Sequence, residues 1–162
     1  MTLRRAGAIL GLALLTACTP EPQTYRDTGA PLGATTRFEA DRFAGDWQVV
    51  AGFGPTMPGT VQIVPDDGGN ILQITSYGRA TPGGAYRQGV PGELIPVSGR
   101  GETLVVMWVD EGFRTAAIGT PSGRFGVILN RDTDLPADRG AAAREILDFY
   151  GWDISRLQRT GQ

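Results

Sequence analysis

From Trp47 to Phe53 the chain alternates: Trp47, Val49, Ala51 and Phe53 fall on one wholly apolar face, and Gln48, Val50 and Gly52 on the other. A period of two with one apolar face predicts a β-strand covering a core. Gly45, two residues ahead of Trp47, predicts a crowded entry where a Cβ would collide with the indole. Short apolar runs follow at 60–64, 70–77, 85–90, 93–98, 103–109, 113–120 and 124–130, separated by turn residues. That spacing is the pattern of an all-β barrel or sandwich.

The turns fall into two kinds. Asp66-Asp67-Gly68-Gly69, Pro91-Gly92 and Asp110-Glu111-Gly112 are tight hairpin signals, while 54–59 and 78–84 are longer and looser. If the strands run alternately up and down from Trp47, all three tight turns lie at the Trp47 end and both loose loops at the other. The last strand then also ends beside Trp47 and delivers Arg131 there. The expected fold is all-β: an eight-stranded antiparallel up-and-down β-barrel with one tight end and one looser mouth. Patterning alone leaves an open eight-strand sandwich as the alternative.

After Arg131 the period changes. Pro136 suits a first helical turn, and Ala142, Ala143, Ile146, Leu147 and Tyr150 recur at helical spacing until Gly151 stops it. One apolar stripe predicts a C-terminal α-helix packed outside the barrel. The runs Leu104 to Val109 and Val127-Ile128-Leu129 are apolar on both faces, as strands between a lumen and a helix would be. Phe38 to Phe43 is expected to form a turn of helix closing one end, and 152–157 a short final strand.

The first residues read as a leader. Arg4-Arg5 precedes a short apolar stretch from Ala6 to Leu15, which ends on Leu15-Thr16-Ala17-Cys18 and looks like a bacterial lipobox. The expected organisation is a signal peptide over 1–17, a lipidated Cys18 with a flexible tether over 18–37, and one domain over 38–162. A diacylglycerol plus an N-acyl chain on Cys18 exceeds what stable membrane attachment requires. Threonine at position 19, rather than aspartate, favours the outer membrane, with the domain in the periplasm.

Composition removes several chemistries. The 162 residues contain no histidine and one cysteine, so the usual general base, an intramolecular disulfide and a cysteine-built zinc site are all excluded. All 15 basic residues are arginines with no basic cluster, against 17 acids, which argues against a nucleic-acid partner. Asp66-Asp67 and Asp110-Glu111 precede glycines between strands and read as solvated turns. No nucleophile elbow or phosphate loop is present, so neither an enzyme nor a cofactor is expected.

Taken together, Gly45-x-Trp47 opening the first strand, Arg131 closing the eighth, the GH-type stretches Gly119-Thr120-Pro121 and Val127 to Arg131, and Gly151-Trp152-Asp153-Ile154-Ser155 after the helix resemble the lipocalins. Within them, the lipobox points to the bacterial outer-membrane lipoprotein group. The resemblance implies that Gly45, Trp47 and Arg131 form a structural closed end, with the arginine over the tryptophan. The family's second motif appears only as Thr115-Ala116-Ala117, and the region from Gly84 to Val109 is short, so the fourth and fifth strands are expected to be stubby. The implied function is binding or transport of a small hydrophobic ligand such as a fatty acid or lysophospholipid, in envelope lipid storage or maintenance. Candidate lumen and mouth residues are Val49, Ala51, Phe53, Met57 and Tyr77. The competing reading is a periplasmic inhibitor or interaction protein with a packed barrel. An open cavity at the Phe53/Tyr77 end favours the first, and a filled barrel the second.

Overall fold

A computed structural model describes residues 23–54, 59–77 and 82–160. Residues 1–17, expected as a leader, and the candidates Cys18 and Met57 lie outside the described residues. The order of elements is α1 (Ala40–Phe43), β1 (Gly45–Phe53), β2 (Thr60–Pro65), β3 (Ile71–Tyr77), β4 (Gly84–Gln88) and β5 (Glu93–Pro96). After these come β6 (Leu104–Val109), β7 (Thr115–Gly119), β8 (Gly126–Asn130), α2 (Ala137–Phe149), a 3-10 turn (Ile154–Arg156) and β9 (Leu157–Arg159). Strands β2 to β8 pair in sequence order, all antiparallel. β1 pairs with both β8 and β2, which closes the barrel at eight strands. The fourth and fifth strands are stubby, at five and four residues.

The ninth strand fills a gap. β1 pairs with β2 only over Gly45–Gln48, and farther along the same edge it pairs with β9 over Ala51–Phe53. The chain segment 152–157, expected as a strand, instead forms the 3-10 turn, whose Asp153 carboxylate accepts from the Ser155 N–H. Strand pairing starts only at Leu157.

Two β-bulges set which side chains look inward. The β1–β8 register steps from Val49↔Leu129 to Ala51↔Ile128, and the β6–β7 register from Val106↔Ile118 to Trp108↔Ala117. An extra residue in one strand flips the alternation beyond it. Val49 therefore joins the lumen cluster with Trp47, while Val50, Ala51 and Phe53 all belong to a second apolar cluster outside the barrel. The same device places Val106 and Val109 inside and Met107 and Trp108 outside.

That outer cluster is the floor on which α2 packs. Ala143 and Leu147 are fully buried against it, with Leu135, Ile146 and Tyr150 around them. Past the helix, Trp152 lies on the paired glycines Gly119 and Gly126, which face it from β7 and β8. A Cβ on either glycine would overlap the six-membered ring of the indole. Trp152 is 1% exposed, and its ring N–H has no hydrogen-bond partner among the described residues, so packing alone holds the indole ring.

The segment before α1 is not a free tether in its described part. Tyr25 packs on Phe53 with ring centroids 5.8 Å apart, and its backbone N–H donates to the Gly123 carbonyl. Arg26 is buried and donates to the carbonyls of Tyr150, Pro121, Ala30 and Pro31. Thr35 N–H reaches the Val106 carbonyl. Pro, Gly and Thr content hid this, because the docking uses one aromatic ring, one guanidinium and backbone groups rather than an apolar period. Residues 23–36 are a strap across the barrel wall.

Candidate functional site

The lumen has a sealed floor. Trp47 is wholly buried at the start of β1 and donates its indole N–H to the Phe43 carbonyl at 2.9 Å. Phe43 stacks against it at 4.9 Å, and Phe38 against Phe43 at 5.1 Å, so α1 serves as an apolar plug. Above the indole lies Arg131, its guanidinium carbon 3.8 Å from the ring centroid. The guanidinium donates to the carbonyls of Asp46, Arg42 and Phe113. Burial lowers its pKa from the usual arginine value and the nearby Asp46 charge opposes that, which leaves it charged at any physiological pH. Gly45 takes φ +95°, and a Cβ there would come within 3.2 Å of Arg131 Nη1. The glycine is thus required by its own backbone and by the arginine, not by a collision with the indole.

The hairpin beside this floor is tied by Asp110. Its carboxylate accepts from the backbone N–H groups of Arg114 at 2.5 Å and Thr115 at 2.6 Å, and from the Arg114 side chain at 3.3 Å. Burial pushes the Asp110 pKa up, but the two backbone donors and the Arg114 guanidinium outweigh it and leave the pKa below the ordinary carboxylate value. A depressed folded-state pKa means this stabilisation is present above the unfolded-state pKa and lost as pH falls through the folded one. Asp110→Asn is therefore expected to cost about 1–2 kcal/mol at pH 7. It should also flatten the loss of stability below about pH 4, measured by urea denaturation across pH. An unchanged acid limb in the variant would refute the assignment.

Above the floor, the lumen wall is hydrocarbon: Val61, Ile63, Ile74, Leu94, Leu104, Ile118 and Leu129, with Phe125 entering from the β7–β8 connection. Tyr86 adds the one phenol of the cluster, buried enough that its hydroxyl pKa is raised and it stays neutral. These side chains leave a cavity of about 10 Å³, roughly the space that one water needs. In this conformation the barrel is filled.

Of the candidate ligand residues, Val49 lies in the lumen cluster. Ala51 and Phe53 do not: the bulge at Val50 turns both outward, Phe53 stacking on Trp152 at 4.9 Å, and Gly52, paired with Val127, takes the inward position. Tyr77 is also outward, 56% exposed, because Leu72 and Ile74 hold the inward phase of β3. Simple alternation from Trp47 could not reveal a bulge. Phe125, which is not among the candidate residues, sits in phase with Val127 and Leu129, so alternation along β8 points to it.

No metal-binding group of three or more His, Cys, Asp or Glu side chains occurs among the described residues. No family model matches the sequence, and no curated protein matches it. Solved structures do match. Lobster apocrustacyanin A1 superposes with a TM-score of 0.58 at 18% identity, covering 75% of this chain and 78% of that one. Apocrustacyanin C2 gives 0.57 at 17%, covering 82% of this chain and 90% of that one. Crustacyanins are lipocalins. The closed eight-stranded antiparallel barrel, the outer helix and the additional strand give this chain a lipocalin-like fold.

Proposed function

We propose that this protein binds one small hydrophobic or amphiphilic molecule, of the fatty acid or lysophospholipid class, through the mouth of its barrel and without chemical transformation. The observation that carries the reading is the lining: a sealed barrel whose inner wall is hydrocarbon and aromatic offers apolar burial and little else. The fold neighbours named above are apoproteins by name, which agrees with a barrel that accepts a guest. The filled lumen, with only about 10 Å³ free, is the outcome that favours a packed barrel, so a guest enters only by displacing side chains. Phe125 is the one to move first, because it is only partly buried and hangs from a connection rather than from a strand centre. Lipidation at Cys18 would hold the domain at the outer membrane of a bacterial envelope, where such lipids are exchanged.

Titration of the delipidated protein with fatty acids and lysolipids tests this. Saturable binding is expected, with Phe125→Ala binding about tenfold more tightly, since the ligand no longer has to expel a ring. No saturable binding in either form would sink it. In that event the filled lumen favours the second reading, an envelope inhibitor or interaction protein with a packed barrel. Anchoring is tested apart from binding: Cys18→Ser should release the protein from the membrane fraction.

A further inference from the structure

An apolar hollow beside α2 lies outside the barrel. It opens between the first turns of α2, strand β9 and the outer faces of β1 and β8, with a volume of about 290 Å³. Its floor is Ala51, Ile128 and Leu157, and its wall is Leu135 with the small residues Ala137, Gly140 and Ala141. The two charged residues in its lining are Arg144 and Arg159; no acid lines it. Both arginines are exposed, and neither makes an ion pair or side-chain hydrogen bond among the described residues. Four other arginines are used structurally, Arg26 on four carbonyls, Arg131 on three, Arg42 on Phe113 and Arg156 on Tyr25, so Arg144 and Arg159 stand out as an exposed pair on one apolar hollow rather than as the free arginines of the surface.

We propose that this groove is a second ligand site, separate from the lumen, which takes a single-chain anionic amphiphile: an acyl chain along the Ala51–Ile128–Leu157 floor and a carboxylate between Arg144 and Arg159. A partly open hollow of about 290 Å³ suits a single medium-length chain rather than a full phospholipid. Small side chains at 137, 140 and 141 make the hollow. The β1 bulge turns Ala51 outward, where it lines the floor of the hollow. A cationic rim over an apolar floor discriminates by charge: the floor accepts any alkyl chain, and two unpaired guanidinium groups select the anion and disfavour the cation.

The experiment uses decanoate as the probe, with decanol and decyltrimethylammonium as neutral and cationic controls of equal chain length. Methyl NMR reports location, because Ala137, Ala141 and Leu157 line the groove and Ile74, Ile118 and Leu94 line the lumen. Decanoate is expected to shift the groove methyls saturably and to bind at least tenfold more tightly than either control. Arg144→Gln with Arg159→Gln should remove that preference, and Ala141→Trp, an exposed position, should block the groove for all three probes. Shifts confined to the lumen methyls would overturn the groove proposal and leave the lumen reading standing. Shifts confined to the groove would do the reverse. Equal affinity for the three probes, or no effect of the double arginine variant, would also overturn it.

Discussion

Gly126→Ala is expected to lower the unfolding free energy by about 3 kcal/mol, because its methyl has to be accommodated inside the Trp152 ring. For a domain of this size that is a fall in Tm of roughly 10 °C. Neither partner can yield. Trp152 is pinned between the glycine pair and Phe53, and the backbone of β8 is fixed by its ladder to β7 at Gly119↔Gly126. The effect should depend on the indole. In a Trp152→Leu background, itself destabilised, the added methyl should cost less than about 1 kcal/mol, and the double-mutant cycle should show strong coupling. Additive costs would mean that the glycines serve the strand backbone and not the tryptophan. Gly119→Ala provides the matched check from the other side of the same ring.

Trp47→Ala carries the other large expectation, about 4 kcal/mol. The indole does three things at once: it fills the lumen floor, it donates to the Phe43 carbonyl, and it is the surface on which Arg131 lies. Trp47→Phe keeps an aromatic face and loses the hydrogen bond and part of the volume, so it should cost about half as much. Equal destabilisation by the two variants in urea titrations would show that stacking by Arg131 contributes little. Arg131→Lys should be poorly tolerated in either case, since an ammonium cannot span the carbonyls of Asp46, Arg42 and Phe113 while lying flat on a ring.

The floor of the barrel was legible because its residues are punctuated: a glycine, a tryptophan and an arginine at the ends of strands whose up-and-down count can be made from the turns. The mouth was not. Phe53 and Ala51 look inward by strict alternation, and one inserted residue at Val50 reverses them. Alternation carries no record of a bulge when the inserted residue is itself apolar, as Val50 and Met107 both are. The strap over 23–36 escaped notice for a related reason. Its attachment is by Arg26 to carbonyl groups, which are present in every residue and so leave no pattern in the sequence.

What the sequence by itself determined is the architecture: eight apolar runs of strand length with alternating tight and loose turns admit few closures, and the change of period after Arg131 demands a helix with one face to bury. Which cavity is open depended on tertiary structure alone. The lumen is filled because Phe125, Ile118 and Leu104 arrive in it from three different strands and connections, and the groove beside α2 is open because Ala51, Ala137 and Gly140 meet from distant parts of the chain. Free volume is a property of side chains brought together by distant parts of the chain. No local pattern encodes it.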